Sequence, residues 1–427
     1  MRDRRLARDL VLLFLGQVLL LTLFRAALPA GVAANEGSDY DAFYRPVAEQ
    51  IADGHGVVFG DDRTPATRYP PGYPLLLGAT FTVADATGAE RQSLVTPLTI
   101  VMTAVAGVLL HLVARRIFDR RHAWVASVAW LAYPLTLWTT KQPNSEIPFL
   151  VLLYGVVLLL VPPLGSGRAG WRRLAAAGAL LGVAAVVRPA GLLLVPGFAL
   201  VLWLRLAGGA GERTRRAGTF VAACAVPVLA VSAWMSTAAG TPVLLSDAND
   251  ANLVEGLSFA VDSPAEAEDL PMPGGLRDFV VETHAREGEL LRDGSARSYL
   301  GEALRERPVV VGQLVAYKAA RSWYGTESFR FEGALLLTQL AWVGTAVVGA
   351  VAARRRSPAG RWYVWLVLAL TGCAWLAAIG ALSIVRYLVP TLGLFAPLVA
   401  VAVLSAADAV AVRRGRARGT APRPEAG

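Results

Sequence analysis

Lysine is nearly missing from this chain. Among 427 residues only positions 141 and 318 are lysine, and only 17% of residues carry a charge. Cysteine is as scarce: Cys224 and Cys373 both sit inside apolar runs, which argues against a disulfide framework, and no metal-ligand spacing occurs. His55 and His284 stand isolated, without paired ligands. The internal repeat that many transporters show is also missing. The N-terminus, MRDRRLARDLVLLFLGQVLLLTLF, starts basic and turns apolar, but no small-residue cleavage site follows closely. A retained first span is expected there, not a cleaved signal peptide.

Apolar surface is what the chain has in excess. It is 55% hydrophobic, with a mean hydropathy of +0.48. A soluble chain of this length has no interior large enough to hide that much, so an integral membrane protein is expected. The net charge of +9 and the pI near 9.9 could suggest a nucleic-acid partner. Position argues otherwise. The arginines cluster in short loops between apolar runs, which marks cytoplasmic membrane loops, so no nucleic acid is expected.

Spans need roughly 20 apolar residues, and arginine-rich loops belong inside. Those two rules order the chain. A first span over about Leu10 to Leu28 runs outward. Residues from Pro74 to Ala84 are apolar, but a crossing there would put ARRIFDRRH outside, so they predict an interfacial or re-entrant helix. Further spans follow over about Ser93 to Val113, Trp124 to Trp138 and Ile147 to Leu164. The run Leu174 to Leu206 is too long for one span and breaks at Arg188-Pro189 into two short ones. Thr219 to Ala239, Gly333 to Ala352, Trp362 to Gly380 and Tyr387 to Val410 complete the set. The expected fold is an all-α polytopic membrane protein with about ten transmembrane helices, both termini cytoplasmic, and an external first loop with interfacial helices.

Acidic residues took no part in that assignment, yet they gather in the two long external regions and at Glu146. The expected organisation is a transmembrane module over 1–239 with an external first loop (29–92), an external region over 240–331, C-terminal helices over 332–412 and a basic cytoplasmic tail over 413–427. In the external region SDANDANLVEG (246–256) reads as polar and turn-rich. Residues 264–275 read as a Pro/Gly/acid linker, and 276–330 as amphipathic helices on the outer surface.

The first loop opens with Asp39 and Asp41 and closes on RYPPGYP. Between them Phe43, Val47, Ala48 and Ile51 recur at helical spacing, which predicts a short amphipathic helix over 41–52. A carboxylate at a helix start can simply complement the helix dipole, or it can serve as a general base. Arginines at a membrane surface often snorkel, and Arg-Pro also serves as a plain helix break. These alternatives stay open on residues alone.

Six fragments bear on the choice: Asp41-Ala-Phe-Tyr44 with Ala48 and Gly54 behind it, Arg68-Tyr-Pro-Pro-Gly-Tyr-Pro74, Ser145-Glu146-Ile-Pro148, Arg188-Pro189-Ala-Gly191, Asn252-Leu-Val-Glu-Gly256 and Arg386-Tyr387-Leu-Val-Pro390. In order, spacing and external placement they resemble the C-type polytopic glycosyltransferases that use polyprenyl-phosphate sugars. The nearest branch is that of protein O-mannosyltransferases and lipid A aminoarabinose transferases. The resemblance implies an inverting sugar transfer on the extracytoplasmic face of the cell membrane, to a lipid, glycan or protein acceptor. It makes Asp41 the catalytic acid of the first loop, or Asp39 if the register shifts by two, with Glu146 as a second carboxylate. Arg386, Arg188, Arg45 and Arg68 are the candidates to hold the donor phosphate. Tyr44, Tyr73, Lys141, Asn252 and Tyr387 are expected to line the site, and no metal or other cofactor is expected. Asp41-Ala42 stands where mannosyltransferases usually carry Asp-Glu, and Arg68-Tyr69 where the aminoarabinose enzymes carry an acid and a lysine, so neither sugar specificity transfers. The competing readings are a transporter or flippase of lipid-linked sugars and a non-catalytic cell-envelope scaffold. A transporter would place its charges near the bilayer midplane, whereas here they gather at the outer boundary.

Overall fold

The computed structural model describes residues 2–29, 39–141, 143–259, 270–292 and 294–419, with 261, 263 and 266 between them. Ser38, residues 264, 265 and 267–269 of the 264–275 linker and the tail beyond 419 lie outside the described residues, as do the side chains beyond 412.

Helices make up nearly all of the described chain. In order they are α1 (Arg2–Ala27), α2 (Arg45–Ala52), α3 (Gly72–Thr87), α4 (Val95–Ile117), α5 (Arg120–Ala132), α6 (Pro134–Lys141), α7 (Glu146–Ser166), α8 (Trp171–Val187), α9 (Ala190–Arg205) and α10 (Ala210–Ala239). Then come α11 (Asn249–Ser258), α12 (Gly274–Ala285), α13 (Glu287–Arg292), α14 (Ala296–Glu306), α15 (Pro308–Arg321), α16 (Glu332–Arg356), α17 (Pro358–Gly380), α18 (Val389–Leu392) and α19 (Ala396–Gly419). Among the described residues one two-stranded hairpin pairs Val58–Phe59 with Thr64–Pro65.

Among the described residues seven helical stretches are long and apolar enough to cross a membrane: Arg4–Ala27, Arg91–Ile117, Glu146–Ser166, Ala210–Ala239, Glu332–Arg356, Pro358–Gly380 and Val389–Val412. The other three expected spans are shorter pieces. The stretch read as one span over Trp124 to Trp138 is cut at Tyr133-Pro134 into α5 and α6, because proline has no N–H to continue the ladder. The run broken at Arg188-Pro189 gives α8 and α9, meeting at the expected place. Exposed leucines and valines line the long helices, as at Leu12, Leu19, Leu337, Leu340 and Val226. That is the face a bilayer covers.

Inside the bundle the helices approach closely where side chains are small. Gly178 and Gly182, one turn apart on α8, lie against α10. A Cβ at Gly178 would sit 2.1 Å from the Phe220 carbonyl oxygen, and one at Gly182 would sit 2.3 Å from that of Cys224. Gly349 on α16 faces the Leu398 carbonyl of α19 in the same way, at 1.8 Å. Such small-residue contacts let backbones touch and supply the dispersion contact that holds helices together where the surrounding lipid is equally apolar.

The first loop folds as one π-helical turn, Tyr40–Tyr44, running into α2. Helix α3 packs along α2 with Tyr73, Leu77 and Phe81 buried, and it is not among the stretches long enough to span. The region after α10 has its own apolar core of Val254, Leu257, Leu276, Phe279, Val280, Leu290 and Leu314. Its helices therefore pack on one another as well as on the bundle. Two expectations change here. SDANDANLVEG is not a turn-rich stretch but mostly helix, as α11. Along 276–330, read as amphipathic helices on the surface, the apolar residues divide: Val311 and Leu314 are buried, while Leu304 and Val309 are exposed.

Replacing Gly178 with alanine is expected to destabilise the bundle by about 1–3 kcal/mol, because the partner at the contact is backbone and has no rotamer to yield. Gly344 has open space around it, so Gly344→Ala is expected to leave the melting midpoint of the detergent-solubilised protein unchanged.

Candidate active site at one end of the helix bundle

The site is built from three stretches that end at the same level. Helix α7 begins at Glu146, the α8–α9 break exposes Arg188, and the chain before α18 runs through a 3-10 turn, Val385–Tyr387, that presents Arg386. Glu146 is 1% exposed. Its Oε1 receives Nη1 of Arg188 at 3.0 Å and is also bonded by Nε of Arg386. Two guanidiniums thus share one buried carboxylate oxygen, which offsets the cost of burying that charge. Its other oxygen, Oε2, is buried and accepts no hydrogen bond among the described residues.

Arg386 reaches further. Its Nη1 donates to Glu327 Oε1 at 3.0 Å, and its Nη2 to Asp39 Oδ2 at 3.4 Å. Burial alone would lower the pKa of Arg386, but Glu146, Glu327 and Asp39 together raise it well above its ordinary value, so the guanidinium stays charged. Arg188 also donates to Ser145 Oγ at 2.9 Å and stands over the Tyr387 ring at 5.4 Å. Burial pushes the Tyr387 hydroxyl up to about 12. Asp39 accepts from the Tyr69 hydroxyl at 3.2 Å on its other oxygen.

The expected residues divide at this point. Asp39, Glu146, Arg188, Arg386 and Tyr387 come together. Tyr44 joins them through its hydroxyl, which donates to Ser145 Oγ at 3.4 Å. Asp41 lies on the other side of its turn, 42% exposed, with Arg45 at 3.7 Å, and Arg45 in turn bonds Glu49. Tyr73 is buried edge-to-face against the Tyr44 ring at 5.0 Å. Lys141 sits over the Trp138 ring at 4.4 Å and makes no contact with the cluster. Arg68 is exposed beside the Tyr69 ring at 5.6 Å. Its carbonyl accepts from Ser246 Oγ at 2.6 Å, and Thr67 bonds Asp247, so the start of RYPPGYP is pinned to the segment before α11. Asn252 on α11 makes no hydrogen bond to the cluster.

Three residues of the site were not singled out from sequence. Tyr69 orients Asp39; in the sequence it stands out only as part of Arg68-Tyr69, with no role attached. Glu327 sits in the turn before α16, where no spacing marks it. Glu255 is on α11 inside a fragment already noted. Burial raises its carboxyl above the ordinary range; Arg68 opposes that shift, and Asp39, Glu287 and Glu327 add to it. Among the described residues no three His, Cys, Asp or Glu side chains gather as a metal site, and Asp39 and Glu146 are both turned to arginine.

One further cation ties the external region down. Lys318 on α15 is buried, and its Nζ donates to the Gly256 carbonyl at the end of α11 at 2.8 Å. Burial, with Arg321 close by, lowers its pKa from 10.5 to about 7.

Comparison with known proteins adds the following. Residues 68–236 match the family model for dolichyl-phosphate-mannose-protein mannosyltransferases. That segment holds Arg68, Lys141, Glu146 and Arg188 but neither Asp39 nor Arg386. No curated protein matches the chain by sequence. The apo oligosaccharyltransferase of Archaeoglobus fulgidus shares the fold at a TM-score of 0.57 and 15% identity, over 97% of this chain and 53% of that one. The AglB oligosaccharyltransferase of Archaeoglobus fulgidus, solved with an inhibitory peptide and a dolichol-phosphate, gives 0.55 and 14%, over 97% and 52%. ArnT from Cupriavidus metallidurans, bound to undecaprenyl phosphate, is more distant at 0.46 and 16%, over 91% and 77%. The chain spans about half the length of the oligosaccharyltransferases it matches. The resemblance to C-type polytopic membrane glycosyltransferases read from the six fragments is thus met by a family match over 68–236 and by a shared fold.

Two outcomes test this geometry. The unfolded chain keeps the Lys318 proton up to about pH 10.5 and the folded protein only to about 7. The unfolded state therefore binds more protons in between, and stability rises with pH through that window. Amide exchange in α11 and α15 should slow, after correction for the intrinsic rate, between pH 7 and 9, and Lys318→Met should remove that dependence. Glu146→Ala leaves Arg188 and Arg386 facing each other without their shared anion. It should cost about 3–5 kcal/mol, read as a lowered melting midpoint.

Proposed function

We propose that this chain is a membrane glycosyltransferase that moves one sugar from a polyprenyl-phosphate carrier to an acceptor hydroxyl on the extracytoplasmic face, with inversion. The observation that carries the reading is the meeting of Asp39, Glu146, Arg188 and Arg386 at one end of the helix bundle. A sugar on a phosphodiester-linked lipid already has a good leaving group. The reaction then needs a base for the acceptor proton and cations for the departing phosphate, and the cluster contains both kinds of group.

In the proposed step the acceptor oxygen attacks the anomeric carbon from the face opposite the phosphate. The bond from that carbon to the phosphate oxygen breaks, and its electrons leave with the polyprenyl phosphate. The acceptor proton passes to a first-loop carboxylate. The geometry favours Asp39 for this role: it is 38% exposed, held by Tyr69 and adjacent to Arg386. Asp41, the position the resemblance assigned, faces Arg45 instead.

Planar arginine binds phosphate oxygens through a fork of two N–H groups. The outer fork of Arg386 is engaged by Glu327 and Asp39, so an arriving phosphate competes with both. Its arrival would free Asp39 from its ion pair just as a base is wanted. Arg188 stands behind as a second cation, and Arg68 at the rim as a third. The lipid tail would enter from the bilayer, and the region over 240–331 would cover the acceptor side. Arginine-rich loops at the opposite ends of the helices support cytoplasmic termini and an external site.

A panel of labelled polyprenyl-phosphate sugars supplied to membranes holding the wild type or a variant tests the proposal. The wild type should label an endogenous acceptor. Asp39→Asn should lose at least about a hundredfold in rate, the scale of a general base, while Asp41→Asn stays within a few-fold. Loss in Asp41→Asn with Asp39→Asn active would reverse the assignment of the base. If the wild type consumes no donor in the panel, the transfer reading fails, and carriage of lipid-linked sugar or a scaffold role takes its place.

A further inference from the structure

A cleft of about 590 Å³ opens at the far end of the molecule from Asp39. Helix α7 separates the two, with Glu146 as its first residue and Ser166 as its last, about 30 Å apart at 1.5 Å per residue. Arg168, Ala169 and Gly170 line the cleft from the α7–α8 loop. Ala207, Gly208, Glu212 and Arg216 line it from the α9–α10 connection.

Its walls are fixed by backbone contacts. Ala207 N–H donates to the Gly167 carbonyl at 2.8 Å. Arg205 donates to the carbonyls of Leu164 at 2.6 Å and Gly165 at 2.8 Å. Gly167 and Gly208 take positive φ, 74° and 119°, which lets both loops turn tightly at the contact. The cleft is therefore preformed.

Its charge is one-sided. The two loops and the helix starts beside them carry Arg168, Arg172, Arg173, Arg205, Arg213, Arg215 and Arg216 against a single carboxylate, Glu212. Glu212 is engaged by Arg216 at 2.7 Å and approached by Arg215 at 3.9 Å. Arg205 and Arg213 spend their donors on backbone carbonyls, which leaves their charge unneutralised. Arg168, Arg172 and Arg173 are exposed, and their guanidiniums have no partner among the described residues. The helices bordering the cleft, α8 and α10, both start from glycines that offer no side-chain cap, so their first amide groups add to the positive field.

The depth of the cleft points to the source of the anion. Trp171 and Trp203 flank these loops and are 41% and 37% exposed. Arg215 stands over the Trp171 ring at 5.7 Å, and Trp203 Nε1 donates to Thr214 Oγ1 at 3.1 Å. Partly exposed tryptophans mark the headgroup level of a bilayer, and basic pockets between helix ends at that level suit anionic headgroups. We infer that this cleft is a binding site for the phosphate headgroup of an anionic phospholipid in the leaflet opposite the Asp39 site. The inference is independent of the glycosyltransferase reading.

Native mass spectrometry of the full chain in detergent tests it, with added phosphatidylglycerol, phosphatidylcholine or inorganic phosphate. The wild type should retain phosphatidylglycerol over phosphatidylcholine by at least about fivefold, since several cations act together on an anionic headgroup. Arg168→Gln, an exposed change that leaves the loop contacts intact, should lower that preference about threefold, and Arg216→Gln should lower it further. The double variant Arg354→Gln/Arg355→Gln changes a different arginine-rich loop and should not alter it. Equal loss in that control would make the effect one of general basic charge and overturn the site. So would the same retention of both lipids, or binding of inorganic phosphate without a preference for the anionic lipid.

Discussion

The guanidinium of Arg386 is the contact on which the Asp39 end of this molecule depends. It joins carboxylates from three distant parts of the chain: Asp39 in the first loop, Glu146 at the start of α7, and Glu327 in the turn before α16. Removing Arg386 would leave three negative charges and only Arg188 to meet them. A buried ion pair of this kind adds little to stability compared with a well-packed apolar core. In the proposed reaction its value lies in position: it pairs with Asp39 rather than Asp41 and would keep a charged fork where the departing phosphate is proposed to sit.

Hydropathy and charge carried most of the architecture. Long apolar runs have one solution in a bilayer, the helix, because lipid satisfies no backbone polar group. The break at Arg188-Pro189 and the placement of Arg386 just ahead of the last span were legible for that reason. Other features were not. Asp39 and Asp41 are two residues apart, which on a helical turn points them to nearly opposite sides. No pattern around them reveals where the turn starts, and it starts as a π-helical turn at Tyr40. Glu327 lies in a turn with no periodicity to mark it. Helix α11 was hidden because SDANDANLVEG is built from residues that favour turns when alone. It is helical here because Val254 and Leu257 are drawn into the external core.

The two ends of the bundle differ in a way that follows from the same rules. At the end that holds Asp39, Glu146 and Arg386 cations and carboxylates are nearly matched and bonded to one another, so the charges are ordered and partly buried. At the other end arginines outnumber acids and are largely solvent-facing, apart from Asp9, which is buried between Arg115 at 3.2 Å and Arg120 at 2.7 Å. Balanced, desolvated charge suits a site that must hold a developing phosphate in a fixed geometry. Unbalanced charge at headgroup depth suits attraction to a membrane surface. The glycine contacts between α8 and α10 and between α16 and α19 let the helices that link the two ends pack backbone to backbone.

The most direct test of this account is the equilibrium binding of a short-chain polyprenyl phosphate to the wild type, Arg386→Gln and Asp39→Asn, each shown to be folded. The account predicts that Arg386→Gln binds at least about tenfold more weakly, a loss of about 1.4 kcal/mol. It predicts that Asp39→Asn binds as tightly as the wild type or more tightly, because a competitor for the same guanidinium has been removed. Unchanged binding by Arg386→Gln would contradict it.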